Sequence, residues 1–213
     1  MNKVSDKTVR VEEWPLVKRA ATGDRAAQRE LFVRYREAAF VVALRVTGRH
    51  EDALDAVQDS FIKAFERLVD FHGESGFKTW LLRIVTNHSL DLLRARKVRV
   101  AMPLDPGGDD DEPRLEPASP DAEQRISGGL EQQELSARLQ AAIETLPPDQ
   151  RAAFALYATG ELTYGQIAEI MGIPIGTVMS RLFHARKRLQ GKLRDLAPDP
   201  DSSGDSDATD LSR

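Results

Sequence analysis

At 213 residues, 41% of them apolar, the chain has room for two small domains with a modest core in each. Its net charge of −4 averages unlike parts: residues 10–100 carry 17 basic groups against 13 acidic ones, 101–135 carry 2 against 10, and 136–196 carry 8 against 5. The absence of cysteine excludes disulfides and thiolate metal sites, and neither a membrane-length apolar run nor a signal-peptide core is present, so a cytoplasmic protein without membrane insertion is expected. Two mildly basic segments set apart by acidic ones suit a protein that meets nucleic acid with two modules.

The first module is expected over residues 11–99. Apolar residues recur at three and four, as in Leu31, Tyr35, Ala38 and Val42, then Leu54, Val57, Phe61, Phe65 and Leu68, which predicts three to five helices. Gly23-Asp24 and Gly48-Arg49 read as breaks, and His72 to Gly76 as a loop. Around Asp52 the periodicity predicts a helix that buries Leu54, Val57 and Phe61, with Asp52, Asp55 and Asp59 sharing another face beside Gln58. A basic partner would relieve repulsion within that face, but the spacing alone favours a solvated face.

From Phe71 to Arg99 the aromatics Phe71, Phe77 and Trp80 flank a glycine-containing loop, with Lys78, Arg83, Arg94, Arg96, Lys97 and Arg99 around or after it. Aromatic rings beside cations are what single-stranded nucleic acid needs, since bases stack while cations hold phosphates. Asn87 and His88 add polar groups able to read base edges. Taken singly, Phe77 and Trp80 read as core aromatics, the usual place for such residues at helical spacing.

Residues 100–129 contain five prolines and the run Asp109 to Glu112, too little apolar surface to offset ordering, so a flexible acidic linker is expected. A second helical module is expected over 130–196, with helices near 135–145, 149–159, 163–171 and 176–193, and a disordered acidic tail over 197–213. Within it, Thr163 and Gln166 predict a capping box, Gly172 a left-handed turn, and Val178, Leu182, Ala185 and Leu189 the buried stripe of a second helix. That is helix-turn-helix geometry, in which the second helix enters the DNA major groove. Arg181, His184, Arg186, Lys187 and Arg188 supply the cations. The four histidines lack metal-ligand spacing, and no nucleophile–base pair or phosphate loop is present, so neither catalytic residues, a metal nor a cofactor is expected.

Three segments in this order resemble the extracytoplasmic-function (ECF) sigma factors, promoter-specificity subunits of bacterial RNA polymerase. DALDAVQDSFIKAF from Asp52 resembles the family's polymerase-clamp helix, and FHGESGFKTWLLRIVTNHSLDLLR from Phe71 its −10 recognition region. The stretch from Leu146 to Leu189 resembles its −35 domain. The resemblance implies an all-α protein of two small helical domains, the second carrying the helix-turn-helix. It further implies that Asp52, Asp55, Gln58 and Asp59 face core RNA polymerase. Phe71, Gly73, Ser75, Phe77, Lys78, Trp80, Arg83 and Asn87 would serve the −10 strand, with a flipped base held at the Gly73–Gly76 loop. Thr177, Met179, Ser180, Arg181, Phe183, His184, Arg186 and Arg188 would serve the −35 duplex. Promoter DNA, core polymerase and an anti-sigma factor are the implied partners, and the implied function is that of an alternative sigma factor with no catalysis of its own. Met179 and His184 depart from the Lys or Arg and the Arg often found there, which weakens guanine readout at both points. A conventional helix-turn-helix regulator is the alternative; it leaves the acidic helix and aromatic loop without a role.

Overall fold

The computed structural model describes residues 3–101 and 130–195, with side chains over 12–96 and 137–194. Residues 102–129 of the expected linker, the expected tail and the side chains of Lys97 and Arg99 lie outside those residues, while Val100 and Ala101, expected in the linker, belong to the last helix of the first module. The described residues form eight α-helices and one short 3-10 turn: α1 (Lys3–Ala21), α2 (Arg25–Thr47), α3 (His50–Glu66), the turn Leu68–Asp70, α4 (Phe77–Ala101), α5 (Leu130–Glu144), α6 (Pro148–Tyr157), α7 (Tyr164–Met171) and α8 (Ile175–Asp195). The all-α expectation stands.

The predicted breaks have identifiable chemistry. Asp24 caps α2, its carboxylate accepting from the amides of Ala26 (2.9 Å) and Ala27 (3.1 Å). Those amides, the Ala27 bond foremost, and the guanidinium of Arg19 hold the Asp24 carboxyl below the usual range. Gly48 closes α2 in the left-handed conformation, its N–H donating to Leu44, and α3 starts two residues later.

In the first module α2, α3 and α4 pack on one another, with α1 laid against α2. Leu31, Phe61, Leu68, Phe77 and Leu81 fill the core, while Ala39, Ala43, Ala53, Ala56 and Ala64 let the helices approach closely. One sequence expectation fails here. Leu54 is about half exposed, because Ala53, Ala56, Val57, Ser60, Phe61 and Ala64 form the buried stripe of α3 and Leu54 lies outside it.

The loop before α4 depends on Gly73. Its φ is +71°, and a Cβ there would come within 2.7 Å of the Trp14 ring. Gly73→Ala therefore meets both backbone strain and a clash. It should lower stability by about 1–3 kcal/mol, read as a fall in melting temperature. An unchanged melt would show that the loop and Trp14 move apart without cost.

The second module is built from α5 to α8, with Ala142, Ile143, Leu146, Ala185 and Leu189 joining α5 to α8. It is not separate from the first. Val42, Val46, Leu82 and Leu90 of α2 and α4 share one cluster with Ala152, Ala153, Leu156, Ile167 and Ile170 of α6 and α7. Arg151, only 8% exposed, reaches between the modules. Its guanidinium donates to the carbonyls of Val46 (3.2 Å), Leu146 (3.4 Å) and Glu144. Two tethered domains were expected; the structure shows them docked, because apolar residues on α2 and α4 bury against α6 and α7.

Candidate polymerase and nucleic-acid interfaces

On α3, Asp55, Gln58 and Asp59 are exposed, and Asp52 is partly covered. The carboxylates are not isolated. Asp52 Oδ2 lies 4.0 Å from Arg96 Nη1 on α4, and Asp59 Oδ2 lies 3.2 Å from His88 Nε2. Lys63 Nζ stands 3.1 Å from His88 Nδ1. His88 is thus drawn toward α3, away from the base-reading role its sequence neighbours suggested. Sequence reasoning also missed two members of this surface. Leu54 and Ile62, each about half exposed, alternate with Gln58 at four-residue spacing and adjoin the acidic row. The surface is therefore mixed, apolar and acidic, and suits a partner that is basic with an apolar centre.

The aromatic loop is a stack rather than an open platform. Phe71 lies 4.9 Å from Trp80 and 6.2 Å from Phe77, and Phe77 lies 5.5 Å from Tyr35. Phe77 is 2% exposed, so a base cannot reach it without opening the core. Its expected direct contact is replaced by support of the rings above it. Phe71 and Trp80 stay partly exposed, as do Ser75 and Lys78, while Gly73 is buried under Trp14. Arg83 and Asn87 are exposed on α4.

The cations of this region meet the second module. Lys78 pairs with Glu161, and the Arg83 guanidinium lies about 4.0 Å from where a Cβ on Gly172 would stand. In the docked arrangement, two of the expected strand-binding groups face protein.

The helix-turn-helix forms as local sequence demands. Thr163 N donates to Gln166 Oε1 at 2.8 Å and Gln166 N to Thr163 Oγ1 at 3.3 Å, a complete capping box for α7. Gly172 turns the chain at φ +65°. On α8, Val178, Leu182, Ala185 and Leu189 are buried, which turns Met179, Ser180, Phe183, His184, Arg186 and Arg188 outward. Thr177 and Arg181 lie at the edge of that face. Arg181 bonds Asp149 of α6 at 3.0 Å, and the Arg186 guanidinium lies 4.6 Å from the centre of the Tyr157 ring. These contacts aim both cations. Lys187, Arg188 and Lys192 line a shallow cleft with Thr145 and Gly191. Lys192 is a candidate phosphate contact that the sequence reading did not single out.

Among the described residues no group of His, Asp and Glu is placed to hold a metal ion, and no helix is long and apolar enough to cross a membrane.

Residues 31–99 match the family described as Sigma-70 region 2, and residues 136–189 the family described as Sigma-70, region 4. The ECF RNA polymerase sigma-E factor of Haemophilus influenzae is 36% identical over 192 residues, covering 85% of this chain and 95% of that protein. The sigma-E factor of Escherichia coli K12 matches at 36% over 192 residues, covering 85% of this chain and 94% of the relative. SigE of Mycolicibacterium smegmatis is 36% identical over 176 residues, and the match covers 81% of this chain and 65% of that relative's length. Among solved structures, the sigma factor RpoE in complex with the anti-sigma factor NepR from Bartonella quintana is similar with a TM-score of 0.58 at 27% identity, covering 78% of this chain and 96% of that one. CnrH in complex with the cytosolic domain of CnrY shares the fold, with a TM-score of 0.60 at 24% identity over 85% of this chain and 97% of that one.

Proposed function

The chain belongs to the extracytoplasmic-function class of the sigma-70 family, and from that premise we propose how its surfaces divide the work of promoter-directed initiation. It is an alternative sigma factor that directs core RNA polymerase to specific promoters. The observation that carries the division is the pairing of region 2 over residues 31–99 with region 4 over 136–189, each bearing an exposed surface of the right chemistry.

Asp55, Gln58 and Asp59, with Leu54 and Ile62, engage the polymerase, and Asp52 borders that contact. The loop from Phe71 through Ser75 captures a base of the opened −10 strand, with Trp80 and Phe77 holding it in shape and Gly73 keeping it close to Trp14. A flipped base costs a few kcal/mol to unstack, which such a pocket offsets. Lys78, Arg83 and Asn87 follow the strand. On α8, Thr177, Met179, Ser180, Phe183 and His184 meet the −35 bases, while Arg181, Arg186 and Arg188 hold phosphates, fixing register without reading sequence. The modules are assigned to residues 11–99 and 130–196, the linker to 100–129 and the tail to 197–213. No residue is assigned a catalytic step, the place of action is the cytoplasm, and the regulatory partner is an anti-sigma factor, the kind of protein with which the relative RpoE was solved.

Docking of the modules sets a condition on this work. Lys78 and Arg83, two of the cations assigned to the −10 strand, lie against the second module in the docked arrangement. Lys78 and Glu161 are in direct contact, so the modules separate before both elements are engaged. About 30 linker residues could reach roughly 100 Å if extended, enough to let the modules part. Glu161→Lys places like charges at the contact and should weaken docking by roughly 1 kcal/mol or less, since the pair is partly exposed. A larger radius of gyration for the free variant in solution scattering is expected; an unchanged one would show that the apolar cluster alone holds the modules.

Reconstitution with core polymerase tests the assignment as a whole. Promoter-dependent transcripts and protection of both elements are expected. Tight duplex binding by the free chain, with no effect on polymerase, would favour the conventional regulator instead.

A further inference from the structure

The outward face of α8 is not uniformly basic. Ile175, Met179 and Phe183 are 51%, 54% and 62% exposed and stand four residues apart, so they form one apolar ridge along the first two turns and a half. The ridge is not an overflow of the core, because Val178, Leu182, Ala185 and Leu189 already fill the buried stripe of the same helix. Beyond it the helix continues into Arg186, Lys187, Arg188 and Lys192, all exposed. An apolar ridge continuous with four cations fits a surface that is polyanionic along its edges and carries methyl groups on its floor. The DNA major groove at thymine is such a surface, since each thymine presents its C5-methyl there.

We propose that Met179, flanked by Ile175 and Phe183, reads thymine in the upstream promoter element through the C5-methyl group, making that element thymine-dependent beneath the first turns of α8. The proposal rests on the assignment of α8 as the −35 reader and deepens it. The thioether side chain has no donor for the O6 and N7 of guanine, so an arginine-type readout is closed to it. It is unbranched and adaptable, so it can lie along a methyl group without demanding one rigid geometry. Ser180 and His184, on the neighbouring strip of the same face, supply the polar readout beside it.

The test uses holoenzyme reconstituted with the full chain on a promoter located by footprinting. Each thymine of the upstream element is replaced in turn by deoxyuridine, which removes only the methyl group. At one or more positions the affinity should fall about three- to five-fold, the scale expected for losing one buried methyl contact. Met179→Ser should abolish that penalty and Met179→Leu should retain it. Both changes lie on an exposed position, so the fold is not at stake. If deoxyuridine is neutral at every position while the upstream footprint persists, methyl readout is wrong and the −35 assignment stands. If no upstream footprint forms and Arg188→Ala has no effect on promoter affinity, the −35 assignment itself fails. If Met179→Ser leaves promoter affinity unchanged yet weakens binding of an anti-sigma protein, the ridge is a protein-docking surface and the proposal is overturned.

Discussion

Replacing both Asp55 and Asp59 by Arg is expected to lower affinity for core polymerase by about 100-fold or more while leaving the helical fold in place. Both carboxylates project from α3 into solvent, and neither packs in the core. Asp59 lies near His88, so its loss removes a weak intramolecular contact worth under about 1 kcal/mol. The large term comes from the partner. A surface that presents cations to Asp55 and Asp59 would instead meet two cations, and like charges brought together at an interface cost several kcal/mol. Equilibrium binding to core polymerase, beside circular dichroism of the free variant, separates lost recognition from lost fold. Unchanged affinity with an intact spectrum would remove α3 from the interface. Leu54→Ser provides an independent probe of the same surface through its apolar part, and a smaller loss of affinity is expected from it.

The helix-turn-helix was legible because everything that makes it is local. Thr163 and Gln166 are three residues apart, Gly172 ends one helix, and Val178, Leu182, Ala185 and Leu189 repeat at helical spacing. Leu54 was misplaced for a reason inherent in periodicity. A leucine three before Val57 fits an apolar stripe, but alanines at 53, 56 and 64 are what allow α3 to approach its neighbours, and they turn Leu54 outward. Phe77 shows the opposite case. The residues by themselves pointed to the core, and its position among Tyr35, Phe71 and Trp80 agrees with that reading over direct contact with a base. Docking of the modules was invisible to sequence because Val42, Val46, Leu82 and Leu90 look like any core residues of their own helices. Nothing in their spacing says that the surface they complete comes from α6 and α7.

Arg151→Met should cost about 2 kcal/mol of stability, a fall of roughly 4–8 °C in melting temperature for a structure of this size. The guanidinium is the shared donor for three carbonyls, of Glu144, Leu146 and, 105 residues away in sequence, Val46. Burial pushes its pKa down from the usual arginine value, with Glu144 opposing that shift. Methionine fills most of the volume and leaves those carbonyls without their donor, so the cost is that of unsatisfied buried acceptors rather than of a cavity. Two of the three carbonyls belong to the second module and one to the end of α2, and the effect divides accordingly. Lost stability reports the whole network, whereas a larger radius of gyration reports the Val46 contact, the one of these three that crosses between the modules. Both changes are expected together in the free chain. A destabilised variant that stays as compact as the wild type would place the role of Arg151 inside the second module and leave docking to Val42, Val46, Leu82 and Leu90. Promoter-dependent transcription at a temperature well below the melt should survive the substitution, because the Val46 contact is not needed once the modules are apart and the loss of the Glu144 and Leu146 contacts leaves the second module folded there.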